Sequence, residues 1–173
     1  MPAWGGARPG AGRKKRGLIA SERHEKRPAL TARIPLRIVA RMAPSLAAVP
    51  RGRLYTAIRR AAERSLARTN FRIVHLALRR QRLELVVEAD DRIALARGMQ
   101  GFQVSAARAL NRARARRGTV FPDRYRATAL RTRAMVRALV HRTLRHVGVD
   151  DAIVLAPVRA TFPLLDAAML RPP

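Results

Sequence analysis

The sequence predicts an α+β domain, a ferredoxin-like antiparallel sheet with helices on one face, led by a basic N-terminal arm. Three observations carry this. Two adjacent apolar segments of strand length, Phe71–Arg80 and Arg82–Ala89, are joined near Arg80-Gln81 with almost no connecting chain, as a hairpin requires. Two longer segments repeat apolar residues at helical spacing. The order strand, helix, strand, strand, helix, strand, helix then suits helices packed on an antiparallel sheet.

Taken in order, residues 1–30 are rich in Gly, Pro, Arg and Lys and lack apolar periodicity, which predicts a flexible basic arm. Its Gly-rich stretch GARPGAGRKKRG does not fit phosphate-loop spacing, so its expected role is to track phosphates through charge. Residues 31–147 form the predicted domain. Ile34, Leu36 and Ile38 alternate within Thr31–Met42, a first strand, and Pro35 places it at a sheet edge or at the strand's start. Pro44 and Pro50 interrupt regular structure before a helix over Arg53–Arg68, whose apolar stripe is Leu54, Ile58, Ala61 and Ser65 or Leu66. After the hairpin, Asp90 or Asp91 can cap a helix that runs to about Arg117. Its inner face is Leu95, Met99, Phe102, Ala106 and Leu110, and Gly118 is its expected stop. Tyr125–Arg131 is a short strand, and Thr132 caps a last helix reaching Val147. Residues 148–173 are a proline-broken apolar tail with no assigned structure.

Composition narrows function. The 173 residues hold 37 Lys+Arg against 11 Asp+Glu, a formal net charge of +26, and only Lys14, Lys15 and Lys26 are lysines. Such an imbalance strains a compact chain by self-repulsion and points to a polyanionic partner, a nucleic acid in preference to a membrane surface. The absence of cysteine excludes a disulfide framework and a thiolate metal site. No apolar run nears the roughly 20 residues of a bilayer span, and the N-terminus lacks the apolar core of a secretory signal, so a soluble, cytoplasmic protein is expected.

Residues 71–147 carry finer signals: FRIVH, Arg82-Leu83-Glu84 followed by LVVEA, FPDRYRATALR, and Ala138-Leu139-Val140-His141 in the last helix. These resemble the REP-associated tyrosine transposases, which cut single-stranded DNA hairpins. The resemblance implies a His-hydrophobe-His metal motif where Arg82-Leu83-Glu84 stands and a nucleophilic Tyr where His141 stands. It also implies a His near Arg37 and another at Arg126. In a strand, residues two apart share a face, so a His pair there could hold one ion. Arg82 cannot ligate a metal, and Glu84 beside it is expected to form an ion pair.

The scaffold resembles the family while the site positions depart from it, which predicts a protein that keeps nucleic-acid binding without cleavage. The expected partner is a single-stranded DNA hairpin. The residues expected to meet phosphates are Arg13, Lys14, Lys15 and Arg16 in the arm and Arg59 in the first helix. Arg80 and Arg82 at the hairpin, Arg124 and Arg126 at the fourth strand, and Arg137, His141 and Arg145 in the last helix complete the set. No catalytic residue, metal ligand or cofactor is assigned, because the ligands for the family's magnesium or manganese are missing. Two alternatives are an active transposase working through Glu84 or His141, and a basic RNA-binding protein. With aromatics at 4%, base stacking should be minor and charge and shape should dominate recognition.

Overall fold

A computed structural model describes residue 30 and residues 34–79, 81–113, 115, 117–146 and 152–154. The basic arm and most of the tail lie outside the described residues. The elements run β1 (Leu36–Arg41), α1 (Arg51–Glu63), β2 (Phe71–Arg79), β3 (Arg82–Ala89), α2 (Arg92–Ala113), β4 (Arg126–Ala129), α3 (Arg133–His146) and β5 (Ala152–Val154), with short 3-10 turns before and after α1. The sheet order is β4-β1-β3-β2-β5, and every neighbouring pair is antiparallel. The first four strands with α1 and α2 make the expected α+β arrangement.

Strand alternation divides the side chains. Leu36, Ile38 and Ala40 of β1, Phe71, Ile73, Leu76 and Leu78 of β2, and Leu83, Leu85, Val87 and Ala89 of β3 enter the main core. There they meet Leu54, Ile58 and Ala61 of α1 and the full predicted stripe of α2, from Leu95 to Leu110. A bulge between Ile73 and His75 adds Val74 to β2 without moving the outer half of the strand off the core face. Val74 and Val86 form a second apolar patch on the opposite side, and Val136, Leu139 and Val140 of α3 cover it with Leu130. The α1–α2 layer thus lies where expected, and α3 is added against the other face.

Local signals explain most boundaries. Pro35 precedes β1, and its carbonyl accepts from the Leu130 amide; β1 itself is internal, between β4 and β3. Asp91 Oδ1 caps α2 by accepting from the Ala94 amide at 2.7 Å, and Thr132 Oγ1 caps α3 by accepting from the Met135 amide at 3.2 Å. α2 ends at Ala113, earlier than the predicted Arg117, because Leu110 is its last buried residue. Beyond it the Asn111 side chain donates to the Gly118 carbonyl, and Gly118 takes φ 125°, a conformation suited to glycine.

Gly98 lets α2 lie close against Phe71 of β2. A Cβ there would lie 2.1 Å from a ring carbon of Phe71, which is itself buried. Alanine gains up to about 1 kcal/mol of helix propensity, whereas forcing a methyl into a packed core costs about 1–3 kcal/mol. Gly98→Ala is therefore expected to be net destabilising in a urea melt, and unchanged or raised stability would show that the helix can slide on the sheet.

Candidate nucleic-acid interface

The candidate site is the polar part of the sheet face that carries α3. Register sets it out in rows. At the hairpin end Arg41, Arg82 and Arg79 lie directly opposite one another on β1, β3 and β2. The next row holds Arg126, Val39, Glu84 and Ala77, and the next Thr128, Arg37, Val86 and His75. Like charges placed opposite one another across strands are destabilising. A triple row of arginine is hard to explain by folding alone.

Glu84 is the carboxylate at the centre of these rows, with a side chain only 6% exposed. Its Oε1 accepts from Arg37 Nε and from an Arg142 guanidinium nitrogen of α3 at 2.9 Å, and its Oε2 lies 3.5 Å from Arg79 Nε. Arg79 also donates to the Arg142 carbonyl at 3.4 Å. One buried negative charge therefore gathers three partly exposed guanidinia from β1, β2 and α3, with Arg41, Arg82 and Arg126 exposed on the same sheet face. Glu84 does form ion pairs, though not with the neighbouring Arg82 as expected: its partners are Arg37, Arg79 and Arg142.

His75 shares this face, beside Glu84 on the neighbouring strand. Burial pushes its imidazole down to about 4, and the nearby Glu84 charge offsets this only in part. Further along, Arg72 and Glu88 lie opposite each other, both buried, and Arg72 Nε donates to Glu88 Oε2.

Of the residues expected from sequence, Arg82 and Arg126 belong to this face. Arg59 lies on α1, on the other side of the sheet; the hydrogen bond and charge of Glu63 raise its affinity for its proton, and it is paired there at 2.8 Å. Arg137 is exposed on α3, and His141 is half-buried on it, one residue before Arg142. Arg124 is half-buried just before β4, its amide donating to Asp123 Oδ1. Arg13, Lys14, Lys15, Arg16 and Arg80 lie outside the described residues, as does the side chain of Arg145. Arg37, Arg41, Arg79 and Arg142 were not among the expected contacts. Alternation from Arg37 carries the signal for Arg41, and parity across the hairpin that for Arg79; nothing in the sequence fixes the rotation of α3 that brings Arg142 in.

No family model and no curated protein matches the chain. Among solved structures, a REP-associated tyrosine transposase bound to a REP hairpin matches with a TM-score of 0.50 and 11% identity, covering 72% of this chain and 74% of that one. A provisionally assigned transposase from Deinococcus radiodurans matches with a TM-score of 0.39 and 13% identity, over 72% of this chain and 98% of that one, too slight a likeness to argue from. The first match shows that the fold is shared with a transposase. The divalent ion implied by the resemblance does not fit the residues present: both Glu84 oxygens face guanidinia, and Arg82 offers no lone pair. Among the described residues no three His, Asp or Glu side chains converge. No helix among them is long and apolar enough to cross a membrane.

Proposed function

We propose that the protein binds nucleic acid, in the form of a single-stranded DNA hairpin, through the arginines of this sheet face and the basic arm, and does not cleave it. The observation that carries the reading is the Glu84 cluster. Three guanidinia share one carboxylate, so the cluster keeps an excess of two positive charges, next to the exposed Arg41, Arg82 and Arg126. Guanidinium groups match phosphate oxygens in geometry as well as charge, and the carboxylate holds Arg37 and Arg142 in place before a phosphate arrives. The solved transposase with the same fold is bound to a hairpin, which supports the choice of ligand.

Of the two positions that resemble the family's metal motif, Arg82 is a cation and Glu84 is taken up by guanidinia, which supports binding without strand cutting. Incubating the purified protein with a labelled palindromic hairpin and magnesium or manganese, followed by a denaturing gel, should return an intact strand. A nicked product or a protein–DNA adduct would sink the non-cleaving reading and make Glu84 and His141 the first residues to replace. Binding should weaken steeply with salt, by about 0.7 in the log–log slope per contacted phosphate of a single strand. Arg82→Gln with Arg126→Gln should reduce that slope by about 1.4, and an unchanged slope would place the contacts elsewhere. Structured RNA outcompeting the hairpin at equal ionic strength would make the protein an RNA binder.

A further inference from the structure

On the opposite side of the molecule, α1 and the end of α2 enclose an open groove of about 610 Å³. Its rims carry Arg53, Arg60, Arg64 and Arg112, and Ala57 and Ala61 form part of its floor. All four arginines are exposed, and among the described residues no carboxylate pairs with any of them. Arg59, on the same helix but not lining the groove, is the arginine that Glu63 neutralises. The single acid of α1 is thus spent outside the groove, and the groove keeps its full charge. Arg64 is steadied by donating to Ser105 Oγ at 2.9 Å.

We infer that this groove is a second phosphate-binding surface, and that one molecule holds two nucleic-acid segments at once, one on each side of the sheet. The inference rests on the nucleic-acid reading above. Arg53 to Arg64 spans about 16 Å along α1 and into the turn that follows it, long enough to meet several successive phosphates of one strand. The floor is built from small side chains, which lets a sugar-phosphate chain approach the helices closely and offers no deep apolar pocket to anchor an acidic peptide. The α1–α2 layer and the sheet separate the groove from Arg37, Arg82 and Arg142, so one phosphate cannot meet both sets.

The test captures the full-length protein on an immobilised DNA hairpin, washes it, and offers a fluorescent 20-nucleotide oligo-dT strand. The wild-type protein should retain the second strand. Arg60→Gln with Arg64→Gln should stay on the hairpin and lose at least tenfold of oligo-dT capture. Arg92→Gln with Arg97→Gln, the same loss of charge from exposed positions on α2 outside the groove, should capture it normally. Circular dichroism melts establish that both variants fold. Wild-type protein that holds the hairpin but takes no second strand overturns the groove assignment. Equal loss in both double variants, or none in either, overturns it too, because charge in general or the arm would then be responsible. Preferential capture of polyglutamate over oligo-dT would overturn the choice of nucleic acid. Protein that never stays on the hairpin would instead refute the hairpin reading beneath it.

Discussion

Replacing Glu88 with Gln is expected to lower the unfolding free energy by about 3–5 kcal/mol, the usual cost of leaving one member of a buried ion pair without the other. The Arg72 and Glu88 side chains are 6% and 1% exposed, so the guanidinium left behind cannot turn to water without opening the hairpin. For a chain of this length, each kcal/mol moves the melting temperature by about 2–4 °C, so a fall on the order of 10 °C should be read by calorimetry. Glu63→Gln makes the contrast: its pair with Arg59 is about half exposed on α1, and that variant should melt close to wild type. Joint replacement by Arg72→Met and Glu88→Leu should recover most of the loss, because two apolar groups leave no orphaned charge. A Glu88→Gln protein within 1 kcal/mol of wild type would mean that water reaches this pair, and that the hairpin is held by its apolar face alone.

Such a pair is half legible in sequence. Phe71–Ala89 reads as two strands from its apolar run, and Arg82-Leu83-Glu84 gives the alternation that sends Leu83 inward and Glu84 to the other face. The stripe of α2 and the caps at Asp91 and Thr132 are equally local, set by a 3.6-residue period and a side chain three residues from an amide. The remainder depends on relations between segments. The bulge at Val74 decides which of β2's residues share a face with Glu84, and no residue type announces it. The short stripe Val136, Leu139 and Val140 says that α3 buries one side, yet both faces of the sheet offer aliphatic partners. Arg142 therefore reaches Glu84 for reasons invisible in its own neighbourhood. The α1–α2 groove escapes for a similar reason: arginine recurs throughout α1, and although the four-residue spacing of Arg59 and Glu63 is local, only the docking against α2 shows which arginines line the groove.

Acidification is expected to weaken the same sheet face through His75. Its imidazole sits at about 4 in the fold against an ordinary 6.5, with burial as the main cause. Between these values the unfolded chain binds more protons than the folded one, so stability rises with pH across this window. The contribution is complete above 6.5 and is lost as pH falls towards 4, by at most about 3 kcal/mol at 1.36 kcal/mol per pH unit. Urea melts from pH 7 to 5 should show the slope, and His75→Gln should flatten it. A wild-type protein equally stable at both ends would mean that the Glu84 carboxylate, which favours the charged imidazole, offsets burial in full. The hairpin separates stability from affinity. Protonation adds positive charge beside Glu84, which favours phosphate, while it weakens the strand that presents Arg79. Bound to the folded protein at any site, DNA at 100 times its Kd adds about 2.7 kcal/mol, close to the whole acid loss. Phosphate bound beside His75 should bind more tightly at pH 5 than at pH 7, and an affinity unchanged between the two would place the nucleic acid away from His75 and the Glu84 cluster.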